Sequence, residues 1–228
     1  MFRIASALLF PCLTVCMSCP GAAQAGHDLS TFLMLGTKQY QVYTRHDMGN
    51  PTTITVAVVN FPSIVIPGAV DQQWWIDRGG GPRLESSNVF SVTATSITWY
   101  GWYAPGYSKF AVISPPLTCP RFMKKGDVFT ATTAVIKPTK TYSATVTRVL
   151  TGDGISITAG NHPKKPTFHG CIRLKSTFIS PDSVEVESEV CAPGVGPAYV
   201  VFTELDEEGA NPQIWTSIDG INAYGKLP

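Results

Sequence analysis

The chain has 228 residues, of which 44% are hydrophobic and 14% are charged, and its formal net charge is +1. A chain this apolar is long enough to bury a core, which excludes an intrinsically disordered region. A nearly neutral balance supplies no positive field for nucleic acid or anionic lipid, because those partners are met by clustered Lys and Arg. We therefore expect a folded protein with no nucleic-acid partner.

The first 25 residues have the pattern of a signal peptide. Arg3 gives a short positive start, residues 4–15 form an apolar stretch, and Ala23–Ala25 supply the small-x-small pattern of signal peptidase cleavage. We expect an exported protein, periplasmic or extracellular, whose mature chain starts at Gly26. The alternative is lipoprotein processing at Cys19. Membrane contact is expected only in that case, since no later segment approaches the about 20 apolar residues of a spanning helix.

Residues 26–228 are expected to form a single all-β domain. Their apolar positions alternate with a period of two, and Thr, Val, Ile and aromatic residues dominate the alternating runs, as pleated strands prefer. We expect a curved antiparallel sheet, a half-barrel or a sandwich of about ten or more short strands. The clearest runs are Thr52–Asn60, Ser96–Tyr103, Val128–Ile136 and Thr141–Val149, and turn clusters stand at residues 48–51, 79–82, 138–140 and 151–154.

A short pattern occurs twice in the chain. It consists of a short apolar segment, then a glycine turn, then a strand that contains an aromatic residue. The aromatic residue is Tyr40 in the first copy and Phe129 in the second. Recurrence of this kind is the sign of an internal repeat, although a common turn recurs by chance as well. The repeat would divide the domain into two related half-sheets, at about residues 26–114 and 121–228.

The aromatic residues of the second alternating run are the best candidates for a binding site. Simple alternation places Trp99 and Tyr103 on one face of this strand and Trp102 on the other. Either the strand is buried on both faces, or one face packs and the other lines an apolar cavity, to which Trp74 and Trp75 would contribute. Such a wall would take a hydrophobic small molecule or a lipid, and an envelope protein's segment is the alternative partner.

The segment of residues 168–196 holds two cysteines and a row of charges. Pro181 and the residue after it are a turn signal, and a hairpin centred on Pro181 places Cys171 opposite Cys191. The same register sorts charged side chains onto one face and apolar side chains onto the other. Its opposite-charge pairs are Arg173 with Glu189 and Lys175 with Glu187.

This register predicts a disulfide between Cys171 and Cys191. Directly opposed strand residues bring their Cβ atoms close to disulfide distance, and an exported protein meets an oxidising compartment. A zinc site is the less favoured interpretation, because the tight C-x-x-C and H-x-x-x-H pairs of zinc ligand sets do not occur. The remaining cysteine, Cys119, is expected to be a buried free thiol.

No catalytic residue, metal ion or cofactor is predicted. The chain contains no G-x-S-x-G, H-E-x-x-H, P-loop or G-x-G-x-x-G pattern that opens a helix. A cysteine nucleophile would need a histidine and an acid to orient it, and the sequence assigns neither to Cys119. The four histidines, His27, His46, His162 and His169, show no spacing that points to catalysis.

Four segments carry a recognisable pattern: FLMLGTKQY from Phe32, RFMKKGDVF from Arg121, TFHGCIRLKSTF from Thr167 and EVCAPGVGPAYVVF from Glu189. They resemble exported bacterial β-proteins, largely uncharacterised and often lipoproteins, with F-P-L-x-x-G-x-x-W near the start of each half. Near the end, that group carries P-A-G-x-F-x-x-C and Y-A-P-G-V-G-L-V. The resemblance implies a curved antiparallel sheet or half-barrel, broadly similar to periplasmic lipid and lipoprotein carriers, and implies no established activity.

Two functions remain open from the sequence. The first is a non-enzymatic envelope or secreted β-protein that binds an apolar ligand or a partner segment on its curved sheet. The second is a hydrolase or metal-dependent enzyme with dispersed active-site residues. An open apolar concavity would favour the first, and a polar cleft in which His converges with Asp or Cys would favour the second. We favour the non-enzymatic protein.

Overall fold

A computed structural model gives the fold and describes residues 26–36, 39–47, 53–103, 110–158, 167–206, 209–211 and 215–226. Thirteen strands form one antiparallel sheet, and two short strands form a second ladder. The predicted all-β, antiparallel fold is therefore confirmed. The expected signal peptide, with Cys19, lies outside the described residues. Within those ranges, no helix has the length and apolar character needed to cross a bilayer.

Sequence alternation predicts several strand bounds well: β6 and β9 begin and end where expected, because Thr, Val and aromatic residues suit a pleated surface. The described elements, in chain order, are β1 (His27–Asp28), α1 (Leu29–Phe32), β2 (Gln39–Asp47), β3 (Thr53–Pro62), β4 (Val70–Asp77), β5 (Arg83–Val92), β6 (Ser96–Tyr103), β7 (Ala111–Pro120), β8 (Phe122–Met123), β9 (Val128–Ile136), β10 (Thr141–Thr158), β11 (Thr167–Ile179), β12 (Ser183–Ala192), β13 (Gly196–Asp206), β14 (Gly209–Asn211) and β15 (Trp215–Lys226).

The large sheet is strongly curved. Its hydrogen-bonded order is β14-β13-β12-β11-β10-β9-β7-β6-β5-β4-β3-β2-β15. The strands β6 and β11 lie four positions apart, which would separate them by about 19 Å in a flat sheet. The rings of Trp102 on β6 and Phe178 on β11 nevertheless lie 6.4 Å apart between centroids. One face is therefore concave, and side chains of distant strands meet across it.

The segment that contains α1 closes one end of the concave face. The Asp28 side chain caps this helix by accepting a hydrogen bond from the Ser30 N–H at 3.0 Å. Arg121 donates two hydrogen bonds to the same carboxylate, at 2.9 and 2.6 Å, and holds the pKa of Asp28 down at about 2. The helix contributes to the main hydrophobic core, whose buried members are Leu29, Phe32, Leu35, Ile97, Cys119, Met123, Leu150, Ile172, Leu174 and Cys191.

Two amides on the concave face hold the chain that follows α1. The side-chain N–H₂ of Asn60 donates to the carbonyl oxygens of Met34 and Gly36, the latter at 2.8 Å. The side-chain N–H₂ of Gln72 donates to the carbonyl oxygen of Leu33 at 3.0 Å. Because a buried backbone carbonyl needs a partner, these two side chains fix the segment against the sheet.

The hairpin of β11 and β12 does not have the predicted register. Its loop is the two-residue segment 181–182, so that Ile172 pairs with Cys191 and Ser176 pairs with Glu187. The difference from the predicted register is one residue. Since side chains alternate along a strand, that shift turns the glutamates of β12 onto the concave face together with Ile172 and Leu174 of β11.

The predicted Cys171–Cys191 disulfide is wrong for the same reason. Cys191 belongs to the main core, whereas Cys171 packs with Val190 and Ala192 in a separate cluster on the other face of the hairpin. Both thiols are free and buried, as is the thiol of Cys119. Burial raises the pKa of Cys171 and that of Cys191. The prediction of a buried free Cys119 is confirmed.

The turn predicted at residues 151–154 is also wrong. Strand β10 continues through this segment to Thr158, and its glycines are absorbed as irregularities in the pairing with β11 between Leu150 and Ile157. Gly154 adopts a φ of 61°, which a glycine reaches without strain. The boundary between the two expected half-sheets falls within β7, inside one continuous sheet. A relation between the halves stays a prediction.

Candidate functional site

The concave face encloses a cavity of about 570 Å³, within the range of small-molecule sites. Strands β4 to β6 and strands β10 to β12 contribute opposite sides of it, and Leu33 and Leu35 of the segment after α1 lie in its lining. The two sides differ in chemistry. We call Trp74, Phe90, Trp99 and Trp102 the aromatic wall, and Arg148, Glu185, Glu187 and Glu189 the charged wall.

Three rings of the aromatic wall, those of Phe90, Trp99 and Trp102, pack in a row. Trp99 stacks on Trp102 with centroids 5.4 Å apart and on Phe90 with centroids 6.4 Å apart. Trp102 also meets the ring of Phe178 edge to face, which carries the apolar surface across to β11. Offset and edge-to-face pairs of this kind are the favoured arrangements of aromatic rings. The wall is therefore fixed by its own contacts.

A β-bulge brings Trp99 and Trp102 onto the same face. Pairing with β5 steps from Trp99 to Gly101 on β6 while it steps only from Phe90 to Val89 on β5, so that Tyr100 is an extra residue in the strand. Gly101 has a φ of 143°, and a Cβ at this position would lie 2.0 Å from the carbonyl oxygen of Ala111. Only glycine fits there. Simple alternation, which placed the two tryptophans on opposite faces, is wrong at this point.

Three of the five predicted ligand-binding residues line the cavity: Trp74, Trp99 and Trp102. Trp75 and Tyr103 do not. Trp75 follows a cavity-lining residue in β4, and its indole N–H donates to the Gln73 side chain at 3.2 Å on the other face. Tyr103 follows Trp102 past the bulge and so also points away from the cavity.

The charged wall is a cross-strand row. Arg148 of β10 pairs with Ser176 of β11, and Ser176 pairs with Glu187 of β12. The Arg148 Nε donates to the Ser176 Oγ at 3.2 Å. Glu185 and Glu189 flank Glu187 on the same face of β12, because residues two apart in a strand share a face. One guanidinium thus faces three carboxyl groups.

Burial dominates the electrostatics of this row. It raises the pKa of Glu187 to about 8, and the charge of Glu189 raises that pKa further while Arg148 opposes the shift. The pKa of Glu189 is raised as well, again by burial and against Arg148. Carboxyl groups that lose water without gaining a close cation keep their protons to higher pH. At neutral pH, the row therefore retains at least one carboxylic acid.

At the end of the cavity away from α1, a lysine covers aromatic rings. The Nζ of Lys137 lies 5.6 Å from the ring centroid of Trp102 and 5.3 Å from that of Tyr142. Both distances are within the range of a cation–π interaction. Lys137 directly follows β9, and Tyr142 is the second residue of β10. The turn between these strands therefore places Lys137 far from the closed end of the cavity.

The candidate catalytic histidines lie away from the cavity. His27 has its Nε2 3.8 Å from the Asp153 carboxylate, and His169 has its Nδ1 2.9 Å from the Ser156 hydroxyl. Neither residue is part of the cavity lining, whereas Cys119 is. Among the described residues, no group of three or more His, Cys, Asp or Glu could hold a metal ion. His162 and the side chain of His46 lie outside the described residues.

Comparisons of the chain with protein-family models, with curated proteins and with solved structures find no match. The resemblance to exported bacterial β-proteins therefore stays a prediction. The charged wall was not predicted from the sequence. The signal for it was the strict alternation of Glu185, Glu187 and Glu189 in one strand, which gives all three the same face whatever the register.

Proposed function

We propose that this protein is an exported, non-enzymatic β-protein that holds a small molecule with an apolar body, such as a lipid, in the cavity of its concave face. The observation that carries the proposal is the stacked pair Trp99 and Trp102, which faces a space of about 570 Å³. Aromatic side chains that face such a space offer apolar surface to a ligand.

The aromatic wall can supply useful affinity. Burial of one methylene group contributes about 0.8 kcal/mol, so a ten-carbon chain would gain about 8 kcal/mol before the cost of association. That gain corresponds to a dissociation constant of about 1 µM as an upper limit of affinity. The stacking contacts between Trp99, Trp102 and Phe90 fix the wall before a ligand arrives, which lowers the ordering cost.

The enzymatic alternative has less support. A hydrolase would need a nucleophile and a base in contact, and the described histidines lie away from the cavity that contains Cys119. Burial also keeps Cys191 protonated, since its pKa lies well above the ordinary value. The carboxyl groups of the charged wall are better interpreted as groups that orient a ligand.

The experiment is binding of the neutral fluorophore N-phenylnaphthylamine, followed by its fluorescence increase. Trp102→Ala removes a ring of the aromatic wall and should weaken binding about tenfold. Trp75→Ala removes the same side chain from the other face of the sheet and should leave the affinity unchanged. Val146→Trp places a ring inside the cavity and should abolish binding. Full binding by a folded Val146→Trp variant, checked by circular dichroism, would contradict the proposal.

A further inference from the structure

The ionisable groups of the cavity lining are unequal in number within the described part of the chain. Those residues are two bases, Lys137 and Arg148, and three acids, Glu185, Glu187 and Glu189. Lys137 lies over the rings of Trp102 and Tyr142, at the end of the cavity away from α1. Glu189 lies toward the closed end, because the residue two positions further along β12 is Cys191 of the main core. When all five of these groups are ionised, the described lining has one positive charge too few, and that deficit falls at the deeper part of the charged wall.

Arg148 does not neutralise that part. Its Nε is bonded to the Ser176 hydroxyl, and among the described residues it forms no ion pair within 4.0 Å with Glu187 or Glu189. The backbones of β10 and β12 are separated by β11, so a side chain from one must cross about 9 to 10 Å to reach the other. Two carboxyl groups share the field of one guanidinium, and in the described part of the chain neither has a cation within 4.0 Å.

A second observation concerns Glu187 itself. Its side chain is half-buried, its carboxyl group faces the cavity, and it has no hydrogen-bond or ion-pair partner among the described residues. Buried carboxylates in proteins are normally paired with a cation or a set of donors. Within the described ranges, Glu187 lacks both a close cation and hydrogen-bond donors, and it faces a cavity of ligand size. It is therefore placed to bind a cationic group of the ligand.

We propose that the ligand carries a cationic head group, an amine or a quaternary ammonium, which lies against Glu187 and Glu189 while its apolar chain lies against the aromatic wall. This inference rests on the proposed function, since it names the ligand class of the same cavity. The occupant is therefore a cationic amphiphile. Its positive charge would pair with the carboxylates of Glu187 and Glu189 as these groups ionise.

The other described groups near this position do not provide that charge. Cys191 of β12 has its Sγ 4.0 Å from the Glu189 carboxylate, and burial raises its pKa, so the thiol stays neutral. Cys119 comes from β7 and is a buried thiol. Tyr142 of β10 lies beneath Lys137, away from the pair. Among the described residues, the charges that act on Glu187 and Glu189 are those of Arg148 and of each other.

A cation bound here should displace a proton. Burial raises the pKa of Glu187 to about 8, so the acid is protonated in the empty cavity at neutral pH. An ammonium group beside it favours the ionised form and lowers that pKa. Affinity for a quaternary ammonium, which has no proton of its own to lose, should therefore increase as the pH rises through about 8.

The test compares three ligands of equal chain length: dodecyltrimethylammonium, dodecanol and dodecanoate, each below its micelle concentration. Their affinities are measured by displacement of N-phenylnaphthylamine at about pH 6 and about pH 9. We expect the cation to bind most tightly and the anion least tightly at the higher pH, with about tenfold between cation and alcohol. The preference for the cation should decrease at the lower pH.

Two variants separate the head-group inference from the proposed function. Glu187→Gln with Glu189→Gln should remove the preference for the cation and leave the affinity for dodecanol unchanged. Glu85→Gln is the matched control, because Glu85 lies outside the cavity, 3.8 Å from Arg78. Equal affinities for all three ligands, or tightest binding of dodecanoate, would overturn the cationic head group while leaving the proposed function intact. Absence of binding by all three, dodecanol included, would overturn the proposed function itself.

Discussion

The aromatic wall and the charged wall of the cavity are held in place by different means. Trp99 stacks on both Phe90 and Trp102, and its indole N–H donates to the Gly101 carbonyl oxygen at 2.9 Å. Arg148 and Glu187 lie on strands that β11 separates, and only Arg148 has a hydrogen bond to its neighbour Ser176. The first wall is complete without a ligand. The second contains two carboxyl groups, Glu187 and Glu189, that have no close cation among the described residues once they ionise.

The comparison shows how one concave face can select a ligand. Apolar packing is non-directional, so the aromatic wall would accept many chains of suitable length. Buried charges are costly unless they are paired, so the charged wall discriminates between head groups. Removing a feature of either wall should therefore have distinct effects on stability and on binding.

The largest effect is expected at Gly101, which shapes the aromatic wall. Gly101→Ala would place a methyl group 2.0 Å from the Ala111 carbonyl oxygen, at a φ of 143° that side chains rarely adopt. We expect the free energy of unfolding in urea to fall by about 3 kcal/mol or more. Gly80→Ala is the control, since Gly80 lies in a turn with open space around it. An unchanged stability of Gly101→Ala would mean that the bulge is not required.

The next effect concerns the charged wall and its pH dependence. The pKa of Glu187 is raised from 4.5 to about 8 on folding, so the folded state binds a proton that the unfolded state has lost between these values. Stability from this group is fully present below the unfolded pKa and is lost as the pH rises through the folded pKa. We expect a decrease on the order of 2 kcal/mol, because solvent in the cavity moderates the shift.

Glu187→Gln should flatten this pH dependence, as seen in urea unfolding across the same range. Glu85→Gln should leave it as in the wild-type protein, because that side chain lies outside the cavity. If the free energy of unfolding depended on pH identically in the wild type and in Glu187→Gln, Glu187 would be fully solvated. The charged wall would then contain no carboxyl group with a raised pKa at this position.

A smaller effect is expected where the two walls share their closed end. Asp28 has a pKa of about 2 in the fold, below its ordinary 3.8, chiefly because Arg121 donates hydrogen bonds to it. Stability from this pair is present above the unfolded pKa and is lost as the pH falls through the folded one. We expect Asp28→Asn to cost about 1 kcal/mol at neutral pH, after allowance for solvent screening.

The control for Asp28 is Asp182→Asn, whose partner Lys140 lies on the surface. Exposed ion pairs contribute little, so this variant should lose less stability than Asp28→Asn. The readout is thermal unfolding at about pH 3 and about pH 7. A loss for Asp28→Asn that is as large at the lower pH as at the higher one would contradict the role of its charge.

The last prediction concerns the chemistry of two thiols, with no change in stability. Cys171 and Cys191 lie on different faces of the β11–β12 hairpin and are both buried free thiols with raised pKa values. Alkylation by iodoacetamide should be slow in the native protein and fast in urea, with no crosslinked peptide in a mass map. A Cys171–Cys191 crosslinked peptide would restore the register that pairs these two residues.

The sequence predicts the strands better than the faces. Alternation locates β6 and β9 because those segments are rich in residues that suit a pleated surface. It fails at Gly101 because a bulge inserts one residue, although a glycine within a strand is itself a sign of a bulge. Beyond Gly101, Trp102 therefore lies on the face that simple alternation predicts for Tyr103, and Tyr103 lies on the face predicted for Trp102.

The register of the β11–β12 hairpin could not be predicted for a different reason. A hairpin centred on Pro181 keeps Glu187 and Glu189 in solvent, which is the favourable choice for an isolated hairpin. The fold instead turns both toward Arg148, a residue of β10. Only the tertiary structure brings Arg148 and the cavity to this hairpin. Local rules therefore give the wrong face here, because the isolated hairpin and the folded protein favour different registers.

The position of a bound chain can be measured directly by crystallography with a bromine-terminated dodecyl ammonium ligand, through the anomalous signal of the bromine. We expect one bromine site within about 4 Å of the rings of Trp99 or Trp102, a contact distance for apolar atoms. The ammonium group should then lie beside Glu187 and Glu189. A bromine site on the other face of the sheet, beside Trp75, would contradict a ligand site between the aromatic wall and the charged wall.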